Sequence, residues 1–348
     1  MKLPVLRYPV AASTPGAALT FDRGLLLEIV AALRATARGQ LFAVYLADDD
    51  ALADLKRWCE LTGNALIEAT HDEGRVVAVV RNGPIDREEE RPLGSRVWVY
   101  TNFDCNLACD YCCVRSSPKA ERASLDPRTV EALLHETASI TEVRDVFLTG
   151  GEPFLLESIG EMAAAAVSVA PTTILTNGML FAGRRRALLE AMPRERVTLQ
   201  VSIDSPDETL HDAHRGKGTF AKALAGVEVA RGLGFRVRLA ATVSTDDDEA
   251  AAHRFFETQG LDADDRVVRR VALRGFAEEG LALSRADIVP ELTFTARGIY
   301  FHPVGATDDD FLVTPALQPV RSGFEAIQAM RAADLAHEGR LSSIFHCA

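Results

Sequence analysis

The chain has 348 residues, 47% of them hydrophobic and 25% charged, with a formal net charge of −12, the composition of an ordinary globular protein long enough for two domains. The acidic balance excludes general nucleic-acid binding, which relies on basic surface to neutralise phosphates. No apolar stretch approaches the roughly 18 residues of a membrane span, and Met1 to Arg7 lack the apolar core of a signal peptide, so a cytoplasmic protein with neither a nucleic-acid nor a membrane partner is expected.

Residues 1–82 read as a small α/β domain. Leu26, Ile29, Val30 and Leu33 recur at helical spacing within Leu25–Ala35. A strand over Leu41–Leu46 follows Gly39. Asp48-Asp49-Asp50 then opens a second helix that runs through Leu61 and closes at Gly63. Ala65–Ala69 and Val76–Val80 flank a turn at Asp72-Glu73-Gly74 and predict a hairpin. Gly39-Gln40, Asp48-Asp49, Trp58-Cys59 and Gly63 together resemble the two-layer TusA-like sulfur-carrier fold. That resemblance implies a Cys-Pro pair before the first helix, near Asp22-Arg23, but no Cys precedes Cys59. Cys59 falls in the apolar pattern of the second helix, as a buried small hydrophobe would. A docking or substrate-recognition role is expected for this domain in place of sulfur carriage.

A linker is predicted over 83–93, where Gly83-Pro84 precedes the charged run Asp86 to Arg91. Regular alternation follows over 94–275. Strands are predicted at Val97–Thr101, Val146–Thr149, Thr173–Thr176, Val197–Ile203 and Val237–Val243, with a sixth at Val267–Val271. Helices fall between them at Arg128–Ser139, Leu155–Val169, Gly183–Ala191, Phe220–Gly232 and Glu249–Thr258. Such alternation predicts a parallel sheet with crossover helices. The repeats are too few for a full eight-fold barrel. Residues 276–348 form a C-terminal extension, with a hairpin at Leu292–Thr295 and Gly298–Phe301 and a helix near Phe324–Leu335.

The first strand runs into Cys105-Asn106-Leu107-Ala108-Cys109-Asp110-Tyr111-Cys112. Iron–sulfur clusters are held by Cys thiolates, and a four-iron cluster ordinarily takes four. Three close thiolates leave one iron for a ligand that is not protein. Three cysteines with Cys113 or a nearby His are also compatible with structural zinc, although zinc ribbons show two separated Cys pairs and no second pair exists here. A disulfide framework fits poorly in a chain of this length with six Cys.

The triplet, with an aromatic residue before its last Cys, resembles that of radical S-adenosylmethionine (radical SAM) enzymes. The resemblance implies a partial (β/α)6 barrel in which Cys105, Cys109 and Cys112 hold a [4Fe–4S] cluster and SAM binds its open iron. It extends to further motifs at the carboxyl ends of the predicted strands, where ligands of parallel α/β sheets gather. Gly150-Gly151-Glu152-Pro153 resembles the element that takes the SAM amino group, the glycines letting backbone approach a ligand. Thr176-Asn177-Gly178 resembles the element beside the methionine part of SAM. Ser202 and Asp204, which share one face with Gln200, resemble ribose- and substrate-side positions. Arg215, in Arg-Gly-Lys-Gly-Thr-Phe, matches the arginine near the SAM carboxylate, where a guanidinium fork suits bidentate pairing. His211 and His214 read as loop residues, and Asp246-Asp247-Asp248 as a solvated helix start.

The family's chemistry implies reductive cleavage of SAM, with hydrogen abstraction from a small-molecule or peptide substrate. An electron donor such as flavodoxin or ferredoxin is the implied partner. The core is related to SPASM and twitch enzymes, but Cys347 alone does not complete an auxiliary-cluster motif. A zinc-stabilised binding protein and a sulfur-relay adaptor acting through the N-terminal domain remain the other two readings.

Overall fold

The computed structural model describes residues 10, 12–14, 20–21, 24–37, 39–72, 75–83 and 91–337. The Asp22-Arg23 position, the Glu73-Gly74 turn, most of the linker and Cys347 lie outside them. Two compact units meet in sequence between Arg91 and Pro92.

The first unit contains β1 (Ala12–Ser13), α1 (Leu25–Arg34), β2 (Leu41–Leu46), α2 (Asp49–Thr62), β3 (Ala65–Asp72) and β4 (Arg75–Arg81). Its sheet has the order β1-β2-β4-β3, with β1 parallel to β2 and the other pairs antiparallel. Alternation in β2 and β4 sends Phe42, Val44 and Leu46, and Val76, Ala78 and Val80, to one face. There they share a core with Leu25 and Ile29 of α1 and with Leu52, Leu55 and Cys59 of α2. Asp48 caps α2 by accepting the Ala51 amide at 2.9 Å, and Gly63 ends it at φ 64°. The hairpin is longer than its apolar pattern suggests, with a bulge between Leu66 and Glu68. β1 has only two residues, too few for any periodicity to show.

The second unit opens with β5 (Arg96–Tyr100), α3 (Pro127–Ile140), β6 (Asp145–Thr149), α4 (Ile159–Val169) and β7 (Thr172–Thr176). It continues through α5 (Gly183–Glu190), β8 (Val197–Ser202), α6 (Glu208–Arg215), α7 (Thr219–Gly232), β9 (Arg236–Val243), α8 (Asp246–Thr258) and β10 (Arg266–Arg270). Strands β5 to β10 are parallel and lie side by side in chain order, each reached from the last through helix. Winding in one direction is that of a barrel, whereas a doubly wound sheet reverses. The barrel is partial, as the motifs implied. Val97 and Val99 of β5, Leu199 and Val201 of β8, and Leu239 of β9 pack outward on Leu133 and Leu134 of α3, Met162 of α4 and Val227 of α7. The intervening residues face the barrel interior.

Two features depart from expectation. The hairpin beyond residue 276 does not stand apart from the barrel sheet. β11 (Leu292–Thr295) pairs parallel with β5, and β12 (Gly298–Tyr300) and β13 (Leu312–Thr314) continue antiparallel beyond it. Apolar patterning marks a strand but not its neighbour. In addition, α6 occupies a stretch read as loop. Asp207 caps it by accepting the Thr209 amide at 2.7 Å. Eight residues with few apolar positions gave no helical stripe to detect. The chain ends its described course in α9 (Val320–His337). Among the described residues no helix is long and apolar enough to cross a membrane.

Candidate functional site

The segment after β5 is held in place almost entirely by backbone. Thr101 N donates to Thr149 O at 2.8 Å and Cys105 N to Ser117 O at 3.2 Å. Phe276 N donates to Cys112 O at 3.0 Å, so a loop after β10 also grips it. Two amides point at sulfur: Leu107 N lies 3.4 Å from Cys105 Sγ and Ser116 N 3.3 Å from Cys112 Sγ. Such donors favour a thiolate. Against them, burial pushes the Cys105 thiol up to about 12, and the nearby charges of Glu152, Cys109 and Cys112 add to this. Burial raises Cys109 too, despite the Arg215 guanidinium beside it.

Cys105, Cys109 and Cys112 all line one cavity of about 180 Å³ at the carboxyl end of the parallel strands. Gly150, Gly151, Thr176, Asn177, Ser202 and Arg215 line it as well. The structure therefore gathers residues spread over more than a hundred positions of sequence. Glu152 and Asp204 stand behind the wall and do not line it.

The glycine pair is needed first by the protein's own backbone. A Cβ at Gly151 would sit 2.1 Å from Asp104 O, and one at Gly150 would sit 2.5 Å from Asn102 O. Gly151 N and Glu152 N donate to those same carbonyls at 3.0 and 3.1 Å. The β6–α4 turn is thus zipped to the cysteine segment. Glu152, fully buried, directs its carboxylate inward. It accepts from Phe154 N at 3.0 Å, Thr176 Oγ1 at 2.8 Å and Asn177 N at 2.8 Å. Burial raises its pKa against those three bonds. The side chain expected to meet a ligand amine instead positions the Thr176-Asn177 turn. Asn177 Nδ2 in turn donates to Asn106 Oδ1 at 2.8 Å, tying that turn to the cysteine segment.

Asp204 is the second hub. Arg215 pairs with it in the bidentate manner expected toward a ligand, through Nε at 2.6 Å and Nη2 at 3.1 Å. The Tyr111 hydroxyl and the Thr242 amide donate to the same carboxylate. Burial opposes the charge, but the guanidinium and these donors hold Asp204 below the usual carboxylate range. The Arg215 guanidinium also lies over the Tyr111 ring, 5.6 Å from its centroid. His211, expected in a loop, is on α6 and fully buried, with its Nδ1 accepting from Asp204 N at 3.2 Å. His214 pairs with Asp110 at 2.9 Å near the surface. Thr245 caps α8 in a box with Asp248, so the acidic run is a helix start as expected.

Sequence reasoning gave no role to Tyr111 beyond its place before Cys112, and none to Thr242, because their partners are distant in the chain. Cys113 also lines the cavity. Burial and the neighbouring Cys112 push its thiol up to about 12. Among the described residues no three His, Cys, Asp or Glu side chains are gathered for a single metal ion. Tetrahedral zinc needs that convergence; a cluster, in which each thiolate meets its own iron, does not. Three cavity-facing thiols with amides aimed at two of them fit such a cluster.

A consecutive parallel barrel with a cysteine-lined cavity at its carboxyl end defines an α/β protein built to hold a ligand there. Residues 99–254 match the radical SAM superfamily, and this part of the chain belongs to it. Members of that superfamily are enzymes that use a [4Fe–4S] cluster and SAM. An AdoMet-dependent heme synthase of Methanosarcina barkeri is 31% identical over 185 residues, which cover 53% of this chain and 52% of that protein. A GTP 3',8-cyclase 2 of Mycobacterium bovis is 34% identical over 137 residues, 37% of each chain. The chain therefore spans about half the length, or less, of these curated relatives. The solved structure of native anSMEcpe with bound AdoMet shares the fold, with a TM-score of 0.53 at 13% identity over 70% of this chain and 84% of that one.

Proposed function

We propose that the protein is a radical SAM enzyme in which Cys105, Cys109 and Cys112 hold a [4Fe–4S] cluster and the adjoining cavity receives SAM and substrate. The observation that carries this reading is the convergence of the three thiols with Gly150, Gly151, Thr176, Asn177, Ser202 and Arg215 on one cavity. When bound, the cluster and SAM supply one-electron reductive cleavage and removal of a hydrogen atom from substrate. The chain's own residues bind and orient. Leu107 N and Ser116 N stabilise sulfur charge, and the zipped glycines fix the cysteine segment against β6. Asp204 locks Arg215 and Tyr111 before any ligand arrives, so no reorganisation is needed on binding. Trp98, Leu107, Leu175 and Val304 give the cavity apolar walls that limit water.

The substrate is a small molecule or a peptide; the printed names of the relatives span a heme synthase and a GTP cyclase and do not choose between them. A reduced flavodoxin or ferredoxin in a reducing compartment would supply the electron. Sulfur relay through the first unit finds no support at Cys59. That thiol is 3% exposed and is pushed up to about 12 by burial and by Glu60, whereas a carrier needs an accessible thiolate. Docking or substrate recognition remains the proposed task of that unit.

The test is Cys109→Ala in anaerobically reconstituted protein. Loss of both bound iron and 5′-deoxyadenosine formation is expected; SAM cleavage in the variant overturns the ligand assignment.

A further inference from the structure

Strand alternation gives the last barrel strand two arginines with opposite destinations. Arg269 pairs in register with Thr242 of β9, and its Nε donates to the Thr242 hydroxyl at 3.3 Å. Thr242 lines the cavity, so Arg269 faces inward with it. Arg270 faces the other way. Its guanidinium reaches Ser244 O at 3.1 Å, Glu249 at 2.9 Å and Asp246 at the start of α8.

The charge in and around the cavity has one sign. Among the described residues its lining includes Arg215 and Arg269 but no Asp, Glu or His, in a chain whose net charge is −12. Arg215 is already matched by Asp204 in the wall behind it. On the same face of β9 as Thr242, deeper in the barrel, lies Arg238, whose buried Nε has no partner. Burial, with Arg96 and Arg236 nearby, lowers its pKa, as expected of a guanidinium set in a cationic interior. Low-dielectric walls lined by one sign of charge focus the field and draw in ligands of the opposite sign.

We propose that the substrate is an anion and that Arg269 anchors its acidic group, a carboxylate or a phosphate, against the β9–β10 wall. The guanidinium fork suits either group, and Thr242 holds it in place. The inference rests on the cavity being the reaction chamber proposed above. It narrows the substrate to acidic small molecules or to peptides presenting an acidic side chain.

The test needs no loaded enzyme. Trp98 lines the cavity, and Trp58 is the chain's other tryptophan, so the Trp58→Phe full-length protein reports on the site through Trp98 emission. Inorganic phosphate and succinate are titrated separately at constant ionic strength. A saturable response to phosphate identifies a phosphorylated substrate class, and one to succinate a carboxylate. Arg269→Gln should weaken that response by about tenfold or more, as expected for a charged hydrogen-bonded contact. Arg269→Lys should retain part of it, and Arg270→Gln should leave it unchanged. The proposal is overturned if neither anion gives a saturable response, if Arg269→Gln binds as well as its parent, or if Arg270→Gln loses as much. SAM cleavage by the reconstituted proteins separates the two readings. Protein that cleaves SAM but binds no anion removes this inference alone, and protein that never cleaves SAM removes the function proposed above.

Discussion

Cys59 and Cys105 are both buried thiols whose pKa is pushed up to about 12, yet their surroundings differ in kind. Around Cys59 lie Leu55, Val76 and Ala78, the aliphatic core of the first unit. Cys105 instead accepts a backbone amide, adjoins the charges of Cys109 and Cys112, and opens on a cavity. Burial alone makes a thiol inert. Burial combined with amide donors, neighbouring thiols and space makes a ligand set. The same contrast extends to the sheets. Inward-facing positions of β2 and β4 are uniformly apolar, whereas those of the barrel include Trp98, Ser202, Thr242 and Arg269.

Four substitutions probe that contrast, in descending order of expected effect. Cys105→Ala should abolish cluster assembly, read as loss of iron and of absorbance near the visible edge after anaerobic reconstitution. Asp204→Asn should come next. It removes the carboxylate from a pair whose side chains are 3% and 9% exposed, leaving the Arg215 charge buried alone. About 3–5 kcal/mol of stability should be lost, measured by denaturant titration. Because the Asp204 pKa is depressed, its contribution is present above the unfolded carboxylate value and lost as pH falls through the folded one. Below about pH 4, parent and variant should therefore converge. A difference that persists in acid would place the effect elsewhere.

Gly151→Ala follows, because its Cβ meets the Asp104 backbone at 2.1 Å and the cysteine segment must shift. Overpacking of this kind costs about 1–3 kcal/mol, and reconstituted iron should fall with it. Normal iron content would show that the segment tolerates the shift. Smallest is Cys59→Ala, for which about 1 kcal/mol is expected from a small cavity, with iron and SAM cleavage unchanged. A loss of activity there would restore sulfur relay as a reading.

His211 adds a pH signature of its own. Burial and Arg215 lower its pKa from 6.5 to about 4, so the folded protein keeps it neutral. Over that window the unfolded chain binds the extra proton, and stability should fall as pH drops from about 6.5 toward 4. His211→Asn should flatten this slope in thermal melts; an unaltered slope would assign it to other groups.

Much of this was legible in the sequence. Cys105, Cys109 and Cys112 declared themselves through spacing, and the strand–helix alternation located all six barrel strands to within a residue or two. What stayed hidden depends on partners far apart in the chain. Nothing near Tyr111 announces that its hydroxyl reaches Asp204, and nothing in Leu292–Thr295 says that it joins β5. Glu152 looked outward from its motif because its receivers, Thr176 and Asn177, come from the next strand. Arg269 looked like part of a polar strand end until its register with Thr242 fixed its direction.

The central claim is that three cysteines leave one iron of a four-iron cluster for SAM. Electron paramagnetic resonance of the anaerobically reconstituted, chemically reduced protein addresses it most directly. A single [4Fe–4S] signal that changes when SAM is added is the expected result. No such signal, or one indifferent to SAM, would contradict it.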